Sequence, residues 1–391
     1  MKYCEEYDYL KKHFNQVDDK IELPEENVTI FNIRFESKHR DILPDVIDSF
    51  SLLSDDLFSV PDSQIDENHF FKYPVIMRQG MECPKGVIIL LHGLNERDWA
   101  KYLPWGVHLA KKTGKAVLLF PISFHMNRAP LMWNNPRIMN HIAVLRKRIF
   151  PKLYDNSYLN AALSSRLESN PKRFLLSGLE SYYDILDLTA QIRNGKHPMF
   201  DKNVKIDFFS YSIGAFFTQL IIMANPRSYY ANSKAFFFCG GATFNQMNGV
   251  SKFIFDSKAG KILQSYFVKH FDRELKKDPK MQALILKTKI GMFFNAMLNL
   301  RKMRSFREER LLDLSRQIKA IAFVKDHVIP AKGIVKTLCG KRNRIPILVT
   351  VKDFPFEYTH ENPFPINKKD LNDLIDQSFQ EVFNEASAFL N

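Results

Sequence analysis

Ser212 is the residue whose position most directly suggests chemistry. It follows residues 205–209, an apolar run with the length of a buried strand, and from Ala215 onward the apolar residues recur at helical spacing. The serine therefore falls on a sharp turn between a strand and a helix. Ser210 and Gly214 stand two positions before and after it, and their small size would let the strand and helix approach closely. This arrangement predicts a nucleophilic hydroxyl; an ordinary strand-to-helix turn is the alternative interpretation.

A serine hydroxyl is a poor nucleophile near neutral pH, so a histidine must accept its proton and a carboxylate must fix the tautomer of that histidine. Asp326 ends an apolar run of strand type, and of the eleven histidines only His327 and His360 follow it. His327 is adjacent to Asp326 on an extended chain and would point the other way. His360 is therefore predicted to be the base by elimination. Asp326 is preferred as the acid because Val-Ile-Pro follows soon after it in a rigid loop, with Asp353 and Asp256 as alternative acids.

The elements that must position these residues alternate between strands and helices. Residues 86–93 form a continuous apolar run, 99–113 have the period of an amphipathic helix that Gly114 closes, and 116–121 form the next buried run. A strand, helix and strand this close together form a βαβ unit, which implies a parallel sheet. The other predicted strands are 28–36, 70–77, 205–209, 234–242, 318–326 and 345–352, and a helix is predicted at 370–390. Because ligands of open α/β sheets bind beyond the carboxyl ends of the strands, the serine, aspartate and histidine are expected to meet there.

Three of the strand ends carry motifs that resemble those of the α/β-hydrolase family. Residues 92–94 (His-Gly-Leu) resemble the oxyanion turn of that family, 325–330 resemble its acid-bearing loop, and 358–360 (Tyr-Thr-His) resemble its histidine loop. The order of serine, aspartate and histidine along the chain is also the order found in that family. The resemblance covers about 86–390, apart from two insertions.

This resemblance implies a fold, a set of roles and a reaction. The fold is α/β: the α/β-hydrolase fold, a mostly parallel central sheet with helices on both faces and helical cap insertions. The implied roles are Ser212 as nucleophile, His360 as base, Asp326 as acid, and the backbone N–H groups of Leu94 and Ile213 as oxyanion donors. The implied reaction is hydrolysis of a carboxylic ester or a related acyl bond, with no cofactor. The chain departs from the family pattern in having Ser210 in place of a glycine and no glycine near its histidine loop.

The chain is predicted to divide into an N-terminal extension with edge strands, 1–85, and a catalytic domain, 86–391. Cap insertions are predicted at about 122–203 and 245–316, and the acidic stretch 41–66 is predicted to be a loop with a short helix. The formal net charge of the 391 residues is +13, and the excess of lysine and arginine lies in the two insertions. No nucleic-acid reader motif accompanies this charge, so a nucleic-acid partner is not expected.

The first insertion begins at a strand end and is therefore well placed to line a pocket. The residues predicted to contact the substrate are Asn95, His125, Arg128, Trp133 and Tyr211. Arginine offers a planar fork and tryptophan a flat apolar face, so an anionic or sugar-like group is one expectation. The alternative is that Arg128 anchors the loop and that Trp133 packs in the cap. Residues 124–137 also resemble an uncharacterised family of bacterial α/β-hydrolase-like proteins, a resemblance that implies no substrate.

The second insertion contains an apolar helical stripe beside a cluster of basic residues at 301–307. The stripe consists of Ile285, Ile290, Phe293, Phe294, Met297 and Leu298. A basic amphipathic helix of this kind can lie on a membrane surface or bind acyl chains. The preferred interpretation is a lid helix whose apolar face packs on the catalytic domain.

The remaining sequence features limit the classes of protein. The first residues carry acids where a signal peptide would be basic and then apolar, and no run of about 18 apolar residues occurs, so a cytoplasmic protein without a transmembrane segment is expected. The four cysteines are scattered without the spacing of a metal or redox site. The sequence thus predicts a serine hydrolase of small-molecule esters. A peptidase or acyltransferase would use the same residues, and a non-catalytic binding protein of this fold is the alternative from another class.

Overall fold

The computed structural model describes residues 1–43, 60–366 and 368–391. Within these residues the strands, in chain order, are β1 Lys20–Leu23, β2 Val28–Glu36, β3 Phe70–Arg78, β4 Gly86–Leu91, β5 Ala116–Phe120, β6 Lys205–Tyr211, β7 Ala235–Phe238, β8 Ile318–Phe323 and β9 Leu348–Lys352. They form one sheet in the spatial order β1-β2-β3-β5-β4-β6-β7-β8-β9. Of the loop and short helix predicted at 41–66, the part at 44–59 lies outside the described residues.

Most of this sheet is parallel. Strand β4 pairs in parallel with both β5 and β6, and β6, β7, β8 and β9 continue the parallel pairing to the far edge. Strands β1, β2 and β3 are paired antiparallel, and β3 joins β5 antiparallel, so the N-terminal strands extend the same sheet. This pairing, with helices on both faces, confirms the predicted α/β-hydrolase fold.

The α-helices of the described residues flank this sheet or lie in the connections between strands. In chain order they are α1 Tyr3–His13, α2 Asp66–His69, α3 Tyr102–Thr113, α4 Pro136–Ile149, α5 Ala161–Ser169, α6 Lys172–Arg193, α7 Ile213–Ala224, α8 Ser257–Leu263, α9 Phe271–Leu275, α10 Pro279–Lys287, α11 Lys289–Met297, α12 Arg304–Asp313, α13 Ala331–Leu338 and α14 Asn372–Leu390. A π-helical segment, Gln264–His270, connects α8 to α9.

Both faces of the central sheet are buried, which explains the continuous apolar runs in its strands. In β4, Val87, Ile89 and Leu91 belong to one buried apolar cluster, whereas Ile88 and Leu90 belong to the cluster on the opposite face. Helices α6, α7 and α11 contribute to the first cluster. Helices α1, α3 and α14 contribute to the second.

The two insertions pack on each other at the carboxyl edge of the sheet. Helices α4 to α6 lie between β5 and β6, and helices α8 to α12 lie between β7 and β8. A buried ion pair joins the insertions, with Arg146 Nη2 2.6 Å from Asp256 Oδ2. The apolar stripe of the second insertion is buried in the first cluster, and α11 packs against α7. The stripe therefore packs on the helices that cover the sheet, in agreement with the preferred interpretation of a helix packed on the rest of the chain, and is not available to a membrane.

Several predicted elements have different bounds in the structure. Strand β1 was not predicted, because it is only four residues long and lies within a charged segment. Strand β7 ends before 239–242, since Cys239 and Gly241 have positive φ. Strand β9 begins after Pro346, which has no N–H to donate to a neighbouring strand.

Candidate active site

Ser212 lies at the junction of β6 and α7, with φ 57° and ψ −121°. A positive φ is unfavourable for a residue with a side chain and costs on the order of 1–3 kcal/mol. The surrounding backbone is packed tightly enough to hold it. A Cβ on Gly214 would lie 2.6 Å from the carbonyl oxygen of Leu91, and a Cβ on Gly240 would lie 2.6 Å from that of Ser212 itself. Glycine at both positions is therefore required for the strained turn to form.

Ser210, which stands where the resembling family has glycine, fits the turn without a clash. Its side chain is fully buried, and its hydroxyl lies 2.5 Å from the hydroxyl of Thr218 in α7. The two hydroxyls satisfy each other in the space between strand and helix. The departure from the family pattern at this position is thus compatible with the same turn.

Ser212, His360 and Asp326 are joined by hydrogen bonds. Ser212 Oγ lies 2.7 Å from His360 Nε2, and His360 Nδ1 lies 2.7 Å from Asp326 Oδ2. The other carboxylate oxygen, Oδ1, accepts the backbone N–H groups of Val328 and Ile329 at 2.9 and 2.8 Å. All three side chains are almost fully buried. Because a carboxylate can only accept, His360 Nδ1 carries the proton and Nε2 is left to accept the serine hydroxyl proton.

The two alternative acids are engaged elsewhere. Asp353 Oδ1 accepts the hydroxyl of Tyr358 at 2.8 Å. Asp256 caps helix α8 through the backbone N–H of Lys258 and pairs with Arg146. Neither carboxylate contacts His360 in the described structure, so the geometry selects Asp326.

Tyr211 positions the histidine loop and is too deeply buried to contact a substrate, which corrects its prediction as a substrate-binding residue. Its hydroxyl donates to the carbonyl oxygen of His360, and the two rings are stacked with centroids 5.4 Å apart. Lys101 holds the same loop from the other side by donating to the carbonyl oxygen of Glu361 at 3.1 Å. Neither role was predicted, since no local pattern links residues so distant in sequence.

The turn at 92–94 is held by buried polar contacts. The backbone N–H of Ile122 donates to His92 Nε2 at 2.9 Å, which leaves Nδ1–H to donate to the carbonyl oxygen of Gly93 at 2.8 Å. Burial lowers the pKa of His92 well below its usual value, so the ring stays neutral. The N–H of Gly93 in turn donates to the hydroxyl of Tyr102 at 3.0 Å.

The backbone N–H groups of Leu94 and Ile213 have no acceptor among the described residues. Both residues line the pocket that contains Ser212. Two backbone N–H groups without an internal acceptor beside a serine hydroxyl can together bind a negatively charged oxygen.

Two pockets meet at Leu94 and Ile213. The serine pocket, of about 40 Å³, is lined by Ser212 together with Met247, Phe255 and Val328. The apolar pocket, of about 70 Å³, lies between α6, α7 and α11, where its wall includes Gly178, Leu179, Phe216, Phe294 and Gly291. No charged side chain lines the apolar pocket in the described structure.

His125 lies in the wall of the apolar pocket, and its contact with a substrate stays a prediction. Its Nδ1–H donates to the carbonyl oxygen of Ser123 at 2.9 Å, and its Nε2 is buried without a partner in the described part of the chain. Burial lowers the pKa of His125 to about 4. The ring is therefore neutral near pH 7, and Nε2 is a free hydrogen-bond acceptor.

Arg128 is an internal anchor, which is the alternative considered for it. The side chain is fully buried, pairs with Asp184 at 2.9 Å and donates to the carbonyl oxygens of Asn68 and Pro121 at 3.0 and 3.2 Å. These partners occupy the guanidinium, so the prediction that Arg128 contacts a substrate is corrected. Glu180, also fully buried, completes this network.

Trp133 and Asn95 also serve the cap. Trp133 is buried, and the guanidinium of Arg166 lies 4.6 Å from its ring centroid. The side-chain amide of Asn95 donates to the carbonyl oxygens of Leu159 and Phe253, at 2.8 and 2.6 Å, and so ties the segment after the 92–94 turn to both insertions. These contacts hold both residues in the cap, and both also line a small pocket together with His125, so their contact with a substrate stays a prediction.

The described residues contain no cluster of histidine, cysteine, aspartate and glutamate that could hold a metal ion. In the same residues, none of the helices has the length and apolar character needed to cross a bilayer.

Comparisons with known proteins relate the whole chain to one family. Residues 1–391 match the model described as "Family of unknown function (DUF6051)". No curated protein matches the sequence.

Similar solved structures include esterases from several sources. Esterase Est22 aligns with a TM-score of 0.47 and 11% identity over 98% of this chain and 86% of its own. The Pyrobaculum calidifontis esterase aligns with a TM-score of 0.47 and 10% identity over 98% and 92%. Carboxyl esterase 2 from the mycorrhizal fungus Tuber melanosporum aligns with a TM-score of 0.45 and 9% identity over 83% and 82%. At these values the likeness carries no argument about the activity of this chain.

Proposed function

The chain belongs to the family of unknown function DUF6051, and we propose that it is a serine hydrolase that cleaves carboxylic esters. The observation that carries this proposal is the hydrogen-bonded chain Ser212–His360–Asp326, at 2.7 Å for each link. The strained conformation of Ser212 supports it, since backbone strain of this kind is kept where it positions a reacting group.

In the proposed reaction, Ser212 Oγ attacks the ester carbonyl carbon while His360 Nε2 accepts the hydroxyl proton. Asp326 stabilises the imidazolium that forms and holds its orientation. The negative charge on the former carbonyl oxygen is bound by the N–H groups of Leu94 and Ile213. His360 then gives its proton to the departing alcohol oxygen, which leaves an acyl group on the serine. A water molecule then attacks the acyl carbonyl carbon while His360 Nε2 accepts a proton from that water. His360 gives this proton to the oxygen of Ser212 as the acyl bond breaks, which releases the acid and restores the serine.

The apolar pocket suggests which part of the ester lies on which side of Ser212. It is lined by aliphatic and aromatic side chains of α6, α7 and α11, and it adjoins the two proposed oxyanion donors. An acyl chain bonded to Ser212 would have its carbonyl oxygen at those donors and its hydrocarbon in this pocket. The proposed substrate is therefore an ester with an apolar acyl group.

Covalent labelling with a fluorophosphonate probe tests the proposal. A reactive serine displaces fluoride from the probe and becomes permanently labelled. We expect labelling of the wild type and of Ser210→Ala, and none of Ser212→Ala, with all three proteins folded by circular dichroism. A folded wild type that does not label would favour the non-catalytic binding protein instead.

A further inference from the structure

A third cavity, larger than the other two, lies between the insertions and adjoins the serine pocket. We name it the lysine groove; its volume is about 740 Å³, and Lys152, Lys258 and Lys261 are among its lining residues. The groove shares part of its wall with the serine pocket. The shared residues are Phe244, Gly249, Phe255, Leu263 and Gln264. The lysine groove and the serine pocket are therefore neighbouring cavities.

The lysine groove carries uncompensated positive charge. Its lining contains three lysines and no carboxylate in the described structure. None of the three ammonium groups has a carboxylate within ion-pair distance among the described residues. Asp256, which precedes α8, is occupied by Arg146 at 2.6 Å and by the backbone N–H groups of Lys258 and Ala259 at 3.1 and 3.0 Å.

The walls of the groove are fixed by contacts between the two insertions. The backbone N–H of Tyr154 donates to Ser257 Oγ at 3.1 Å, and the N–H of Ser257 donates to the carbonyl oxygen of Tyr154 at 3.2 Å. Lys258 Nζ lies over the ring of Phe150, 4.8 Å from its centroid, so this ammonium group is held on the groove wall by a cation–π contact. The arrangement is a built concave site with charge of one sign.

An ester presents two sides to Ser212, an acyl side and an alcohol side. The apolar pocket shares Leu94, Phe174 and Ile213 with the serine pocket, whereas the lysine groove meets the serine pocket at a different set of residues. The function proposed above places the acyl chain in the apolar pocket. On that basis, we propose that the lysine groove binds a negatively charged group on the alcohol portion of the ester. The substrate class is an acyl ester of an anionic alcohol, such as one that bears a phosphate or a carboxylate.

The test compares two butyrate esters that differ in charge on the alcohol side, those of 4-hydroxybenzenesulfonate and of the neutral 4-hydroxybenzenesulfonamide. We expect the wild type to cleave the sulfonate ester with a kcat/KM about 10-fold higher than that of the sulfonamide ester, and the advantage to shrink as salt is raised from about 20 mM to about 500 mM. In the triple variant Lys152→Gln, Lys258→Gln, Lys261→Gln, the ratio is expected to fall to about 1. The control Lys287→Gln removes an exposed lysine of the second insertion that does not line the groove, and it should keep the wild-type ratio.

Two failures are distinguishable in this experiment. If the wild type cleaves both esters equally, or if the triple variant keeps the preference for the sulfonate, the lysine groove does not bind the anionic group. The proposed hydrolase activity would be unaffected by that result. If neither ester is cleaved and the fluorophosphonate probe does not label Ser212, the proposed function itself is wrong and the assignment falls with it.

Discussion

Replacing Asp326 by asparagine tests the proposed mechanism with little disturbance of the fold. Oδ1 of the asparagine can still accept the N–H groups of Val328 and Ile329, which the aspartate accepts at 2.9 and 2.8 Å. The change removes the charge of a buried acceptor, and the lost strength of its hydrogen bonds is about 1–2 kcal/mol. We therefore expect Asp326→Asn to fold, with a modestly lower melting temperature.

The expected effect on catalysis is much larger. The side-chain amide of the asparagine would donate to His360 Nδ1, where the carboxylate now accepts at 2.7 Å. The imidazole proton would then sit on Nε2, which could no longer accept the proton of Ser212. A base in the wrong tautomer lowers kcat by roughly 10⁴-fold, equivalent to about 5 kcal/mol in the barrier. The rate of labelling by the fluorophosphonate should fall in parallel.

Asp353→Asn is the matched control, since Asp353 was the other acid near the end of a strand and it accepts from Tyr358 rather than from His360. We expect this variant to keep kcat/KM within about threefold of the wild type on a 4-nitrophenyl ester. The reasoning would be refuted if Asp326→Asn kept more than about a tenth of the wild-type kcat/KM, or if the control lost as much as the test variant.

Three further predictions concern the acyl pocket, the cap and the N-terminal helix. Gly178 lines the apolar pocket and has open space where a Cβ would stand. Gly178→Leu should therefore favour esters with shorter acyl chains, with a change of at least about tenfold in relative kcat/KM. Gly178→Ala should have an intermediate effect when a series of acyl chain lengths is measured. Arg128→Met leaves buried carboxylates unpaired and should cost about 3–5 kcal/mol in urea unfolding, while the ratio of kcat/KM for anionic and neutral esters stays unchanged. Burial, with the neighbouring Glu26, raises the pKa of Glu6 from 4.5 to about 8, so this group makes the fold most stable below pH 4.5 and its contribution is lost as the pH rises to 8. Urea unfolding should therefore show Glu6→Gln to be more stable than the wild type by a few kcal/mol at pH 8, with little difference at pH 4. Equal stability of the two proteins at pH 8 would contradict the raised pKa of Glu6.

The sequence was sufficient to predict the fold and the main candidate residues because both depend on local patterns. The strands at 86–91 and 116–120 are continuous apolar runs, and such runs indicate strands that are covered on both faces. His360 could be selected by elimination, since only two histidines follow Asp326. Positions at the carboxyl ends of parallel strands converge whatever the intervening insertions are.

The structural roles of the residues predicted to contact a substrate could not be predicted in the same way, because these roles depend on partners that are distant in sequence. Arg128 lies close in sequence to the strand end at Phe120, yet its charge is taken up by Asp184 on α6. Tyr211 is adjacent to Ser212, but its side chain points to the opposite face of the sheet from that of Ser210 and reaches the backbone of His360. The apolar pocket likewise requires α6 and α11 to meet, and neither helix alone indicates it.

Ser210, which departs from the family pattern, shows what the turn around Ser212 requires in physical terms. A sequence pattern treats its small positions as equivalent, whereas the structure distinguishes them by what a side chain would touch. A Cβ at Gly214 or at Gly240 would collide with backbone at 2.6 Å, and backbone cannot move aside without loosening the turn. At position 210 the hydroxyl of the side chain forms a hydrogen bond with that of Thr218. Loss of the pattern glycine at 210 is therefore compatible with a working serine, and substitution of Gly240, which the pattern does not include, would be the more damaging change.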